Sequence, residues 1–210
     1  MNRINYDRET DKIIADCKAR GIKPKLLLHA CCAPCASACV ERLAPYFEVT
    51  LFFYNPNISS ADEFQKRLCE LERFVKEAPF ASGIKIISPE YNHGEFLSAA
   101  AGLENAKEGG ERCEKCFRLR LNKTAEQAGA LGFEYFATTL TISPLKSAEK
   151  INLCGEAAVV GNVIYLPTDL KKRERYKRSI ELSSEYGLYR QSFCGCEFSQ
   201  GRAENCAHKP

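Results

Sequence analysis

Short apolar runs alternate with amphipathic, charge-rich stretches along most of the chain. That alternation predicts strands separated by helices. Residues 7–20 read as a helix, stopped by Gly21 and Pro24. Residues 25–30 (KLLLHA) form a short apolar strand; residues 31–35 follow as a loop, and a helix begins over 36–43. A second buried strand covers 48–54 (EVTLFFY) and is stopped by Asn55-Pro56-Asn57. Ser60 suits the N-cap of a helix running to about Ala78, and residues 84–88 are a third strand. Residues 92–110 read as loop with a short helix, closed by Gly109-Gly110. A helix then covers 113–129, ending near Gly129, before a fourth strand over 134–141. Ser143-Pro144 opens another helix, since proline fits a first turn. A fifth strand at 163–167 precedes a charged helix over 169–186, ended by Gly187.

Strands alternating with helices imply an α/β fold, a doubly wound, mostly parallel and Rossmann-like sheet. The pattern divides into an N-terminal helical extension (1–24), one α/β catalytic domain (25–200) and a tail (201–210) carrying Cys206 and His208. With 210 residues, 45% of them hydrophobic, the chain can bury one substantial core but hardly two. In such sheets ligands bind outside the carboxyl ends of the strands, near a topological switch point. The 31–35 loop falls on that edge.

Charge adds little constraint. The balance, 30 − 27 = +3, permits an RNA partner without requiring one. No apolar run approaches the roughly 20 residues that span a bilayer, and the first ten residues are polar, without the apolar stretch of a signal peptide. Both point to a cytoplasmic protein with no membrane partner.

Cysteine changes the picture. There are 12, in a chain expected in a reducing compartment where disulfide frameworks are rare. Seven fall in three tight groups: Cys31, Cys32 and Cys35; Cys113 and Cys116; Cys194 and Cys196. Two thiolates in a CxxC at a helix start face one metal centre, and the positive helix terminus favours them. The glycine in Cys194-Gly195-Cys196 lets the backbone turn both sulfurs toward one centre or two adjacent ones. Adjacent Cys31 and Cys32 in an extended segment point apart and can serve two neighbouring sites. The isolated Cys17, Cys39, Cys69, Cys154 and Cys206 read as packing residues. Zinc needs only four ligands, fewer than the seven clustered thiols. A cubane iron–sulfur cluster takes up to four thiolates, leaving three for a second metal or a reactive thiol. Two rivals stand beside this reading. Cys32-Ala33-Pro34-Cys35 resembles the redox loop of a thioredoxin-like thiol–disulfide oxidoreductase. A zinc-stabilised RNA-binding module without catalysis would also use paired cysteines.

Other features supply substrate candidates. Asn55 and Asn57 end the second strand on the cysteine edge, as amide donors and acceptors or as an ordinary turn. Thr138, Thr139 and Lys146 flank a helix start suited to phosphate, unless Ser143 merely caps it. The basic stretch Lys171 to Arg175, with Lys177 and Arg178, lies on a helix and either tracks a nucleic-acid backbone or is a solvated face. Tyr189 either stacks on an unpaired base or belongs to the core. His29 reads as a core histidine, and His93 has no evident partner. Gly-x-Gly-x-x-Gly is missing after the first strand, and so is a Walker-type lysine loop, so reducing equivalents must come from an external electron donor.

Taken together, these motifs resemble the QueH family of epoxyqueuosine reductases. The likeness runs from about Leu26 to Ser199. It includes His29-Ala-Cys-Cys-Ala-Pro-Cys35, Phe53-Tyr-Asn-Pro-Asn-Ile58, Glu63 with Arg67, Arg112-Cys-Glu-Lys-Cys116, Thr138-Thr-Leu140, Ser143-Pro144 with Lys146, and Tyr189-Arg-Gln191 with Phe193-Cys-Gly-Cys196. Position 35 is cysteine here, where some members carry aspartate; either side chain ligates iron. The resemblance implies a fold like the adenine nucleotide α-hydrolases, a 4Fe–4S cluster and a second, mononuclear iron nearby. It implies reduction of epoxyqueuosine to queuosine in a tRNA anticodon loop. Cys113 and Cys116 are the expected cluster ligands, completed by Cys31 or Cys32 and by Cys194 or Cys196. Cys35 and the remaining cysteines are expected at the second iron. Cys35, Tyr189 and Arg190 are the catalytic candidates, and Asn55, Asn57, Thr138, Thr139, Lys146 and Gln191 the substrate-binding ones.

Overall fold

The computed structural model describes residues 4–199. Its elements run α1 (Tyr6–Ala19), β1 (Lys25–His29), α2 (Ala33–Leu43), β2 (Glu48–Phe52), α3 (Ala61–Glu77), β3 (Lys85–Ile87), α4 (His93–Ala100), α5 (Glu111–Ala130), β4 (Tyr135–Thr138), α6 (Ala148–Ala157), β5 (Ile164–Tyr165) and α7 (Arg175–Glu185). The five strands form one sheet in the order β3-β2-β1-β4-β5, and every neighbouring pair is parallel. The order reverses direction at β1, which pairs with β2 on one side and β4 on the other. Ligands in doubly wound sheets bind outside such a reversal. At the carboxyl end of β1, His29 lies opposite Phe52 of β2 and Thr138 of β4.

Alternation along β1 feeds two cores. Leu26 and Leu28 join Val49 and Leu51 under α1, α2, α3 and α7, whereas Leu27 joins Phe52 and Phe136 under α5 and α6. A parallel sheet covered on both faces needs near-continuous apolar residues, which Leu26, Leu27 and Leu28 supply before the buried His29. At Gly155 of α6 a Cβ atom would run into the ring of Tyr165, so only glycine lets this helix lie so close to β5. The α1 segment is not a loose extension: Ile14 and Cys17 enter the core, and Thr10 Oγ1 donates to the Pro167 carbonyl at 2.7 Å.

Several boundaries differ from expectation, for local reasons. Helix α2 starts at Ala33 rather than at 36, because extended Cys32 is its N-cap and Pro34 fits its first turn. Cys35 therefore sits in a helix, not a loop. Helix α5 starts at Glu111, so Cys113 and Cys116 both lie in its opening turns. Ser60 caps α3 as expected, accepting from Glu63 N at 3.4 Å. Ser147, not Ser143, caps α6, accepting from Lys150 N at 3.3 Å. Strand β4 stops at Thr138, where the chain tightens into a 3-10 turn over Thr139–Ile142. The helix expected over 169–186 survives only as α7, because Arg173 and Glu174 take positive φ values of 52° and 60°. The basic stretch from Lys171 to Arg175 is thus mostly turn. Cys206 and His208 lie outside the described residues.

Candidate metal and substrate site

The turn after β1 brings three thiols together. The sulfur atoms of Cys31, Cys32 and Cys35 lie within 4.8 Å of one another, with Cys31 Sγ and Cys32 Sγ 3.8 Å apart. Strand β1 ends beneath Cys31 and Cys32, and the first turn of α2 lifts Cys35 back toward them. Cys32 Sγ also accepts from Gln191 Nε2 at 3.0 Å, and Cys31 Sγ lies 3.7 Å from Thr139 Oγ1 beyond β4. Three thiols this close cannot all ionise independently. Hydrogen bonds from Cys32 and Cys35 hold the Cys31 thiol well below its ordinary value; in return Cys32 is pushed up to about 12 and Cys35 also well up.

Cys113, Cys116, Cys194 and Cys196 come from two distant segments. Cys113 and Cys116, three residues apart on α5, share a helix face. Cys113 Sγ accepts from Gly109 N at 3.2 Å. Cys116 and Cys196 pack with Phe96 and Ala100 in one small apolar cluster, and burial pushes the Cys116 thiol up to about 12. Cys194 and Cys196 flank Gly195, whose φ of +114° suits glycine. The turn is clamped from outside. Arg67 Nη1 and Asn57 Nδ2 donate to the Cys194 carbonyl at 3.3 and 3.5 Å, and Ser59 N donates to the Gly195 carbonyl at 3.0 Å.

Both groups open on one cavity of about 850 Å3. Cys31, Cys35, Cys113, Cys116, Cys194 and Cys196 line it; Cys32 lies just behind. The wall is also rich in cations. Arg67 pairs with Glu63 at 2.6 Å. Arg112 donates to the carbonyls of Leu103, Glu104 and Ala106 at 2.7–3.0 Å. Arg190 Nη1 donates to Ser183 Oγ at 3.1 Å. Burial opposes the charge of Lys146, but Cys194, Cys31 and Cys35 outweigh it and hold the ammonium's pKa above its ordinary value. Among the described residues, Asn57 Oδ1 and Gln191 Oε1 are buried without hydrogen-bond partners. Seven soft sulfur donors around a cation-lined cavity fit an anionic thiolate–metal centre.

The predicted substrate-binding residues, with the catalytic candidates Tyr189 and Arg190, separate into two sets. Asn57, Lys146, Arg190 and Gln191 line the cavity. Asn55, Thr138, Thr139 and Tyr189 are not among its lining residues. Asn55 Nδ2 donates to the Ala30 carbonyl at 2.9 Å, which holds the turn after β1. Thr138 Oγ1 lies 2.9 Å from His29 Nδ1 and accepts from Leu140 N at 3.1 Å. Tyr189 donates its hydroxyl to Glu63, its backbone N–H meets Glu70 Oε1 at 2.6 Å, and its ring faces Lys66 Nζ at 3.6 Å. His29 is fully buried, its pKa lowered to about 4 by desolvation, consistent with a core histidine. His93 does have partners: the Pro56 carbonyl at 2.7 Å and Glu197 Oε1 at 3.2 Å. The basic turn is occupied within the chain. Arg173 and Arg175 pair with Asp7 at 2.9 and 2.7 Å, and Arg178 with Glu41 at 2.7 Å.

The role of the buried arginines at 67 and 120 was missed by sequence reasoning. Their signal lies in helical phase. Arg67 shares a stripe with Phe64, Leu71 and Phe74, and Arg120 one with Cys113, Cys116 and Phe117. A charge in a core stripe needs a reason.

Residues 26–202 match the model of a family described as epoxyqueuosine reductase QueH. Curated relatives carry the same description. One from Streptococcus pyogenes serotype M1 is 40% identical over 200 residues, covering 94% of this chain and 78% of the relative. One from Staphylococcus epidermidis is 41% identical over 202 residues, covering 94% and 85%. One from Thermotoga maritima is 33% identical over 181 residues, covering 83% and 89%. No helix among the described residues is long and apolar enough to cross a membrane.

Proposed function

Because the chain belongs to the epoxyqueuosine reductase QueH family, an oxidoreductase family, we propose that it reduces epoxyqueuosine to queuosine in a tRNA anticodon loop, with iron held by its clustered cysteines. The supporting observation is convergence. Cysteines from three distant stretches of chain surround one cavity at the switch point of the sheet.

Cys113, Cys116, Cys194 and Cys196 would hold a 4Fe–4S cluster, and Cys31, Cys32 and Cys35 a second iron. The close approach of the last three sulfurs supports placing both Cys31 and Cys32 at the second iron, where one of them was expected at the cluster, and leaves both Cys194 and Cys196 to the cluster. Bound iron would supply single electrons and a Lewis-acid position. The overall reaction converts the epoxide to an alkene and water, consuming two electrons and two protons. The protein's own contribution is placement and charge. Asn57 Oδ1 and Gln191 Oε1 are free to accept from substrate hydroxyl or amine groups. Lys146 sets a positive charge between the two cysteine groups, where negative charge develops on the departing oxygen. Arg190, braced on α7, lines the same wall. Tyr189 acts through position: its bonds to Glu63 and Glu70 fix the segment that carries Arg190 and Gln191. The target base lies in a single-stranded loop, so it reaches a pocket at little unpairing cost. Electrons would come from an external donor, another protein or a chemical reductant.

The test is anaerobic purification with iron and sulfide analysis, followed by incubation with reductant and tRNA carrying epoxyqueuosine. Queuosine in the nucleoside digest is the expected product. Protein free of iron and sulfide would sink the reading; colourless, zinc-loaded protein would favour an RNA-binding module instead.

A further inference from the structure

Arg120 projects from α5 one turn beyond Cys116 and lines the cavity, with a side chain only 1% exposed. Among the described residues its one hydrogen bond runs from Nε to the Cys116 carbonyl at 3.3 Å, a backbone group of its own helix. Among the same residues Nη2 is buried with no hydrogen-bond partner, and the guanidinium lies 5.8 Å from the Phe117 ring centroid. Among the described residues no carboxylate lies within ion-pair distance of it. The other two buried arginines of the cavity also leave one nitrogen each without a partner among the described residues, but they are better held: Arg67 pairs with Glu63, and Arg112 donates to three carbonyls.

A buried, unpaired guanidinium is costly, and it cannot shed its proton as a lysine can. Something nearby must carry the opposite charge. The candidates on the same wall are sulfurs: Cys31, Cys35, Cys113, Cys116 and Cys194 line the cavity together with Arg120. They come from both cysteine groups, so Arg120 shares one cavity with the two. Its helical phase fits, since positions 113, 116 and 120 fall on one face of α5.

We propose that Arg120 is the fixed countercharge of the thiolate-bound redox centre and sets how readily that centre accepts an electron. The inference rests on the iron–sulfur reading and deepens it. An added electron makes the centre more negative, so a permanent cation in a water-poor wall favours the reduced form. Arg120 is a positioning residue in the electrostatic sense; nothing requires it to touch the substrate.

The experiment is a spectroscopically monitored redox titration of the iron-loaded wild-type, Arg120→Gln and Arg120→Lys proteins. Arg120→Gln should keep its iron and sulfide but lower the equilibrium constant for one-electron reduction about tenfold, equal to ~59 mV. Arg120→Lys should stay much closer to wild type. An iron-loaded Arg120→Gln protein with an unshifted potential overturns the inference while leaving the iron–sulfur reading intact. If Arg120→Gln loses its metal, the lysine variant decides. Retained iron in Arg120→Lys supports a role for charge, and equal loss in both variants reduces Arg120 to packing. Wild-type protein without iron or sulfide overturns the underlying reading, and this inference falls with it.

Discussion

The two cysteine groups that face the cavity are built in opposite ways. Cys31, Cys32 and Cys35 belong to one five-residue stretch, which runs from the buried end of β1 into the first turn of α2. Their approach is a consequence of local geometry, since any chain that forms β1 and α2 brings them together. Cys113 and Cys116 meet Cys194 and Cys196 only after nearly the whole chain has folded. There the second pair is held by side chains of a third segment, Asn57, Ser59 and Arg67. The first group is preorganised by secondary structure and the second by tertiary contacts, so the second is where long-range damage should register.

The sharpest break comes from the proposed ligands themselves. Cys113→Ser is expected to abolish the cluster, with iron and sulfide falling together. Cys35→Ser should lower iron while leaving sulfide and the visible absorption of the cluster in place. Paired iron and sulfide assays on anaerobic protein check both. Sulfide lost equally in the two variants would merge the groups into one centre.

A step smaller is Arg67→Ala. Arg67 is 2% exposed, pairs with Glu63, and holds the Cys194 carbonyl. Removing one partner of a buried pair strands the other, at a cost of about 3 kcal/mol. Denaturant unfolding should show that loss, and cluster content should fall further than iron at the Cys31 group. If the cluster survives untouched, the clamp contributes stability but no positioning.

Much of this architecture was legible in residue order. The alternation of KLLLHA and EVTLFFY with amphipathic stretches yields the parallel sheet, and thiols clustered in three short stretches point to metal. What stayed hidden depended on atoms distant in sequence. Nothing near Ser143 reveals that Ser147 caps α6, because both are serines before a helical pattern and Pro144 fits either boundary. Nothing in the Lys171–Arg175 stretch reveals left-handed conformations at Arg173 and Glu174, residues that ordinarily favour helix. The pairing of that stretch with Asp7 joins positions more than 160 apart. The seven cysteines were identifiable as a set, but the close approach of Cys31, Cys32 and Cys35 became visible only through distance.

Gly195→Ala probes the same clamp more gently. At φ +114° an alanine is strained, and its Cβ would lie 3.0 Å from Ile58 Cγ1 and 3.3 Å from Arg67 Nη1. A cost of about 1–2 kcal/mol is expected, together with faster loss of cluster iron to a chelator. Iron release from the Cys31 group should keep its wild-type rate. Equal acceleration at both would mean that the Cys194–Cys196 turn supports the whole cavity.

The smallest effect should come from Arg178→Ala, at the edge furthest in character from either cysteine group. Arg178 meets Glu41 of α2 through both Nε and Nη2, at 3.0 and 2.7 Å, but the two side chains are 38% and 34% exposed. Water and salt screen such a pair, so the cost is about 0.5–1 kcal/mol at low ionic strength and less in high salt. Because Arg178 is engaged in tying α7 to α2, its removal should change tRNA affinity less than about twofold at fixed salt. Each lost phosphate contact flattens the salt dependence of binding by about one unit of slope. A binding titration at two salt concentrations therefore separates the alternatives. An unaltered slope keeps Arg178 as an intramolecular brace, and a slope reduced by about one makes the α7 face a docking surface for the RNA backbone.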